Sequence, residues 1–470
     1  MDTDKATVAP EDQVHDLEGG IEQDVVEALA ADEQGRLRQL IEPLHHADVA
    51  SLLERLGAGD RDQVVDILRP DFDHEILAEL DETVRDHVID RLGVEEVAAA
   101  LQEMDSDDAL DVIEELDDEE QQQVLDAIPA GDRTLIEEGL SYPEDSAGRL
   151  MQREVVTIPT FWSVGETIDF LRKSADREDG QAGGENELPT QFYDIFVVDP
   201  MHKPVGTIPL SRILRTARQV PVTDILETDM KLLPVTTDQE DVAIVFRQRN
   251  LVSAPVVDNA GRLVGAITID DVVDVIDEEH EEDIMLLGGV KEDDLYDATL
   301  DTTRARFGWL LINLATAILA SIVIGLFDAT LDQMVALAVL MPIVASMGGN
   351  AGTQTLTVAV RALAMKELTP TNAARVIGKE ALVGLFNGVM FAALIGVVAW
   401  LWFDNLGLGA VIGLAMVVNM FVAGLAGTTI PLALDKLGID PAVASSVFLT
   451  TITDVVGFFV FLGLAALLLF

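Results

Sequence analysis

Residues 445–470 read SSVFLTTITDVVGFFVFLGLAALLLF, apolar except for hydroxyl groups and one acid, Asp454. An ionised carboxylate at the centre of a bilayer costs about 3 kcal/mol or more, so its presence needs a cause. Asp440 is the last charge before it, and the 14 residues between them span about 21 Å of helix. Some 16 residues follow, which puts Asp454 near mid-membrane. No Lys, Arg or His in the apolar half falls at that depth. A carboxylate without a basic partner must hold a cation or keep its proton. Two copies of the chain facing one axis would bring two Asp454 side chains together around such a cation. The bland alternative is a protonated Asp hydrogen-bonded to Thr450 or Thr453.

A second stretch, MPIVASMGGNAGTQTLTVAV (341–360), places Pro342 and Gly348-Gly349-Asn350-Ala351-Gly352 inside another apolar run. Gly and Pro loosen a helix and expose carbonyl oxygens, which membrane depth tolerates along a wet cavity. Asn350 adds a neutral oxygen ligand. The alternative is close helix packing through small residues. This half of the chain has neither His nor Cys. Its donors are all oxygens, which favours a hard cation. Mg2+, which keeps several of its waters, suits one or two carboxylates in a small polar cavity; Ca2+, Mn2+ and Co2+ stay open.

The third stretch, DDVVDVIDEEHEEDI (270–284), holds nine acids between 270 and 283 and no Lys or Arg. On a helix Asp271, Asp274, Glu278 and Glu282 share one face, and Glu279 and Asp283 form the neighbouring row. Like charges at this spacing repel, so this segment calls for cations or for strong salt.

The elements that must position these groups follow from the composition. The chain has 470 residues, a formal net charge of -53 and 49% hydrophobic residues. From Asp301 onward there are only nine acids and seven bases, so nearly all the charge lies on residues 1–300. An acidic soluble half is joined to an apolar, nearly neutral half. Acids spread over the whole soluble half fit a protein built for multimolar salt, where screening removes most self-repulsion. Nucleic acid is excluded as a partner by like-charge repulsion. The absence of Cys excludes disulfides, Fe–S clusters and thiolate sites. The start, MDTDKATVAPEDQ, is acidic and polar, unlike a signal peptide.

Residues 1–20 are expected to form a disordered acidic tail. Residues 21–144 show apolar positions at helical spacing in short recurring units, as in HADVASLLERLGAGDRDQVVDIL, and predict a helical superhelical repeat domain. Within 145–277, FVVDPMHKPVGTIPLSRIL and PVVDNAGRLVGAITIDDVV align at an offset of 59 residues. Two α/β repeats are therefore expected at 145–215 and 216–277, with a polar loop at 176–189. An acidic connecting helix is expected over 278–303. Five apolar runs follow at about 307–327, 334–361, 380–403, 409–434 and 442–470, each long enough to span hydrocarbon. Arg304, Arg306, Arg361, Lys366, Arg375, Lys379 and Lys436 lie on one side, and Asp328, Asp332 and Asp404 on the other. The positive-inside rule makes the N-terminal domains cytoplasmic and the C-terminus external.

The paired repeat resembles a tandem CBS module, which implies an adenine nucleotide such as ATP in the cleft, with Thr268 and Asp271 at the ribose-contacting positions. YPEDSAGRLM (142–151), GGNAGTQ (348–354) and TITDVVGFFVFLGLA (451–465), in this domain order, resemble the MgtE family of magnesium channels. The resemblance covers about residues 20–470. It implies a homodimeric, Mg2+-gated, Mg2+-selective channel in the cell membrane, with a pore lined by the second and fifth spans. Asp454, Asn350, Gly349, Thr450 and Asp440 fall on its ion pathway. Asp271, Asp274, Glu279, Glu282 and Asp283 fall on a regulatory plug helix that shares Mg2+ with Asp107 and Asp111. Cytosolic Mg2+ would neutralise the repulsion, draw these domains together and close the pore. Two departures stand out: Ser446, where some members carry asparagine, and Arg149 for a second glycine, expected to matter little. Competing readings are a proton-coupled divalent-cation carrier and a membrane-anchored nucleotide sensor. No P-loop, nucleophile elbow or metal-activated water motif points to an enzyme.

Overall fold

The computed structural model describes residues 20–114, 116–175, 188–189, 191–290 and 299–470. The expected tail, and nearly all of the expected 176–189 loop, lie outside the described residues. Two compact units emerge, residues 1–277 and 278–470.

The first unit opens with ten short helices: α1 (Ile21–Ala30), α2 (Gln34–Ile41), α3 (His46–Arg55), α4 (Ala58–Leu68), α5 (Glu75–Ala78), α6 (Glu82–Leu92), α7 (Val94–Ala100), α8 (Ser106–Glu114), α9 (Asp118–Ala127) and α10 (Ala130–Leu140). Each is too short to stand alone and is held by packing of its apolar face. Leu52, Leu53, Val64, Leu77, Val88, Val97 and Ile113 share one continuous core. Helices pack on second neighbours, α2 on α4, α4 on α6 and α7 on α9, as a superhelical repeat requires. Acids cap the starts: Asp81 accepts from Thr83 N, and Asp117 from Glu119 N and Glu120 N. Arg61 and Arg85, 24 residues apart, are buried and close the ends of preceding turns. Arg61 Nε donates to Leu53 O and Arg85 Nη2 to Leu80 O.

Two three-stranded sheets follow. In the first, β1 (Thr157–Pro159) lies parallel to β2 (Asp194–Val198), which pairs antiparallel with β3 (Pro204–Pro209); α11 (Val164–Ala175) and α12 (Leu210–Arg215) complete the repeat. The second has β4 (Leu233–Pro234), α13 (Gln239–Arg249), β5 (Ser253–Val257) and β6 (Leu263–Thr268) in the same order and sense. A bulge falls between Val197 and Val198 and again between Val256 and Val257, 59 residues on. The two Val-Gly pairs also have a steric reason. A Cβ at Gly206 would meet Glu227 O at 2.5 Å, and one at Gly265 would meet Gln152 O at 2.7 Å. Residues 147–152 lie along the second repeat, with Ala147 N donating to Thr237 O and Gln152 N to Ala266 O. Arg149, expected to matter little, closes α10: its Nη2 donates to Leu140 O and its guanidinium meets Glu114. From β6 the chain enters α14 (Ile269–Gly288), whose residues belong to both units.

The second unit holds α15 (Thr299–Gly325), a short α16 (Asp328–Gln333), α17 (Ala336–Ala364), α18 (Ala373–Phe403), α19 (Leu406–Lys436) and α20 (Pro441–Leu468). Five of these are long and apolar enough to cross a membrane: 302–325, 336–364, 373–403, 406–436 and 445–468. The expected 278–303 helix is corrected. Its helix begins earlier, at Ile269, and ends at Gly288, where Gly289 takes φ +74°, a left-handed value suited to glycine after a helix end. The expected irregular backbone in the second span is also corrected. α17 is one continuous helix through Pro342 and the glycines. Gly348 and Gly352 serve close packing instead: a Cβ at Gly352 would meet Leu449 of α20 at 2.8 Å. α19 lies at the centre, against α17, α18 and α20.

Candidate functional site

The candidate residues fall into three places. The first lies within the first unit, where α8 faces the start of α14. Ser106 Oγ, at the head of α8, donates to Glu154 Oε2 at 2.7 Å and accepts from Arg153 N at 2.9 Å. This fastening holds Asp105, Asp107 and Asp108 against Asp271. Burial, then Asp271 and the neighbouring acids, pushes the Asp107 carboxyl well above the usual carboxylate range. The same causes raise Asp108 to about 7. Asp274 keeps an exposed edge, yet the protein around its carboxylate, then Glu79 and Asp271, raise it to about 6. Burial followed by Glu154 and Asp271 raises Asp105. The causes identified for Asp107, Asp108 and Asp274 include no basic side chain. The group is a crowd of carboxylates that each resist ionising beside the others, which is what a bound cation relieves.

Of the acids that the sequence singles out, Asp107 and Asp271 lie within reach of one another, and Asp105, Asp108 and Glu79, which it does not single out, lie beside them. Asp108 is the next residue to Asp107 and shares its helical turn, a signal the sequence did contain. Asp111 is positioned otherwise than expected. Its Oδ2 accepts from Arg85 Nη1 at 2.9 Å, so a guanidinium already compensates its charge. Asp271 also has a structural task. Its Oδ2 accepts from Thr268 Oγ1 at 2.7 Å and Thr268 N at 3.1 Å, a capping arrangement that starts α14. The expected ribose-contacting pair thus satisfies itself.

The second group lies within the second unit. Asp440 caps α20, its Oδ1 accepting from Ala442 N at 2.7 Å. Asp283 of α14 faces it: burial and then Asp440 raise the Asp283 carboxyl, while His280 lowers it. Leu286 and Leu287 hold that end of α14 against Leu356, Ala442 and Leu449. Glu279 and Glu282 stand on the same helix, Glu279 half-buried and Glu282 exposed.

The third group is at mid-span. Asp454 is the fourteenth residue of the 28 in α20, and half-buried. The hydroxyls that the bland alternative would pair with it are engaged elsewhere. Thr450 Oγ1 donates to Ser446 O, and Thr453 Oγ1 to Thr450 O. Among the described residues no hydrogen bond or ion pair reaches Asp454. Asn350 is exposed, near Ser346 Oγ at 3.4 Å. It borders a cavity of about 270 Å³ between α17, α18 and α19, together with Gln354, Glu380 and Asn387. Asp454 is not among the residues that wall this cavity. Gly349, beside Asn350, has open space where a side chain would stand.

Residues 341–464 match the MgtE family model, described as a divalent cation transporter. Residues 44–145 match the MgtE intracellular N domain, and 222–278 the CBS domain. The magnesium transporter MgtE of Enterococcus faecalis is 35% identical over 332 residues, 71% of each chain. This chain belongs to the MgtE family. The magnesium transporter MgtE of Thermus thermophilus is 34% identical over 348 residues, 73% of this chain and 74% of that one. A solved structure described as the cytosolic domain of the Mg2+ channel MgtE in complex with ATP is 28% identical. It covers 54% of this chain and 99% of its own, with a TM-score of 0.49. Members of the MgtE family are transporters, and the five apolar helices of this chain are the part that would lie in the bilayer.

Proposed function

We propose that the chain is a homodimeric, Mg2+-selective channel that imports Mg2+ across the cell membrane and closes when cytosolic Mg2+ is high. The observation that carries the reading is Asp454: a mid-span carboxylate with no partner among the described residues. Its charge is tolerable at that depth if a cation passes, and two chains around one axis would place two such carboxylates along the path. Asn350 supplies a neutral oxygen that can hold the waters of a hard cation.

The regulatory half of the proposal rests on the two cytoplasmic groups. Mg2+ at Asp105, Asp107, Asp108, Asp271 and Asp274 would offset the burial and mutual repulsion that raise their carboxyls. Mg2+ between Asp283 and Asp440 would fix α14 to the head of the fifth span. α14 carries members of both groups, so ions bound at either bias one helix. Ions that bind the compact arrangement better shift the population toward it. Splaying at low Mg2+ opens the path. The positive-inside pattern puts the acidic domains in the cytoplasm and the C-terminus outside. An adenine nucleotide between the two repeats belongs to the same reading; there a ribose hydroxyl would replace Thr268 in its hydrogen bond to Asp271.

The test is Mg2+ flux through the purified protein in liposomes at high KCl, with Mg2+ titrated on the cytoplasmic face and Asp454→Ala beside it. Flux that falls as cytoplasmic Mg2+ rises, and is lost or unselective in the variant, is the expected result. No flux from the wild type under any condition would overturn the channel reading. Flux that follows a proton gradient would replace it with a coupled carrier.

A further inference from the structure

One polar side chain in the membrane half lies where neither the acids nor the apolar core accounts for it. Asn419 is the fourteenth residue of the 31 in α19 and is fully buried, at 0% exposure. Its Nδ2 donates to Val344 O of α17 at 2.9 Å. Its Oδ1 is buried and finds no donor among the described residues. The amide cannot be turned over, because Oδ1 would then face the carbonyl oxygen. A buried amide with one unmatched oxygen is costly where an apolar side chain would leave nothing to satisfy.

Two glycines make room for this amide. A Cβ at Gly348 of α17 would run into Asn419 Nδ2, and one at Gly457 of α20 would stand 2.8 Å from the same atom. Gly348 comes two residues before Asn350, and Gly457 three residues after Asp454. Val344 O is also the carbonyl that the Gly348 N–H uses within the helix, so Asn419 takes its second lone pair. The amide therefore locks onto the turn of α17 that leads into Asn350, while pressed against the turn of α20 that follows Asp454. Apolar packing alone leaves helices free to slide or rotate by a fraction of a turn; a directional bond into a one-atom notch does not.

We propose that Asn419 is a positioning residue. It fixes the axial and rotational register of the second and fifth spans, and through it the placement of Asn350 and Asp454 that discriminates Mg2+ from larger divalent cations. The inference rests on the channel reading, and the experiment separates the two. Mg2+ and Ca2+ fluxes are measured in liposomes for the wild type, Asn419→Ala, Gly348→Ala and the double variant Gly348→Ala/Asn419→Ala.

Asn419→Ala keeps flux, but its Mg2+-to-Ca2+ ratio falls about tenfold, the scale of one buried hydrogen bond. Gly348→Ala alone loses flux because its methyl meets the amide. The double variant regains flux, since the methyl now fills the space the amide left, yet stays unselective. A purely structural asparagine would give back selectivity along with flux. An unchanged ion ratio in Asn419→Ala overturns the proposal while leaving the channel standing. If Asn419→Ala does not fold, the double variant decides: wild-type selectivity there overturns the proposal, and lost selectivity supports it. A wild type that carries no Mg2+ overturns both.

Discussion

Asp108→Asn tests the cytoplasmic acids at a buried carboxyl that Asp271 and Asp105 also raise. The substitution keeps the shape of the side chain and removes one charge. Burial, Asp271 and Asp105 raise the Asp108 carboxyl from 3.8 to about 7. The folded protein thus holds a proton that the unfolded chain releases. Below pH 4 both states are protonated and the shift costs nothing. As pH rises from 4 to 7 the unfolded chain ionises first, and folding loses stability with each unit. Above pH 7 the loss is complete, roughly 4 kcal/mol. Side-chain relaxation and the strong salt this composition suits take part of it, leaving about 2 kcal/mol.

Three results are expected from thermal unfolding of the full chain in EDTA and in Mg2+ across pH 5 to 8. In EDTA the wild type melts at rising temperature as pH falls. Asp108→Asn flattens that slope and, at pH 8, melts roughly 4–8 °C above the wild type. Mg2+ stabilises the wild type more than the variant, because the variant has less repulsion to relieve. A variant that melts lower in EDTA at pH 8, or that keeps the full Mg2+ response, would refute a cation-relieved cluster.

The other acids separate by the same logic. Asp440→Asn keeps an oxygen to accept from Ala442 N, so α20 stays capped; it removes the charge facing Asp283, and closure should need several-fold more Mg2+. An inhibition curve identical to wild type would remove Asp283 and Asp440 from the sensor. Asp111→Asn should leave the Mg2+ midpoint within about twofold of wild type, since its carboxylate is turned to Arg85 and keeps out of the group around Asp271. A shift as large as that of Asp108→Asn would mean that Asp111 leaves Arg85 to join the metal.

The fold was legible in the sequence wherever periodicity was repeated. The 59-residue offset anticipated two sheets whose strands, bulges and Val-Gly pairs coincide. Span number and approximate bounds followed from apolar length, which the bilayer dictates directly. Two readings failed for local reasons. Charge composition marks an acidic connecting segment, but helix ends follow backbone geometry, and Gly289 sets this one. The glycines of α17 were read as flexible backbone. A glycine gives up its side chain for freedom or for closeness, and sequence alone does not say which. Here Leu449 of α20 and the Asn419 amide occupy the room that two of them leave.

In a chain with 83 acids, counting carboxylates cannot separate a metal site from a solvated surface. Asp107 and Asp111 sit one helical turn apart on α8 and look equivalent as letters. Burial distinguishes them, and so does compensation. Asp107 is enclosed among carboxylates, whereas Asp111 meets a guanidinium that closes a helix 26 residues earlier. Asp454 is distinguished the same way, by hydroxyls that donate to the backbone instead of to it. What marks a carboxylate as waiting for a cation is therefore not its charge but the absence of any other group positioned to balance it. That property arises from tertiary packing, so it emerges only when the chain is folded.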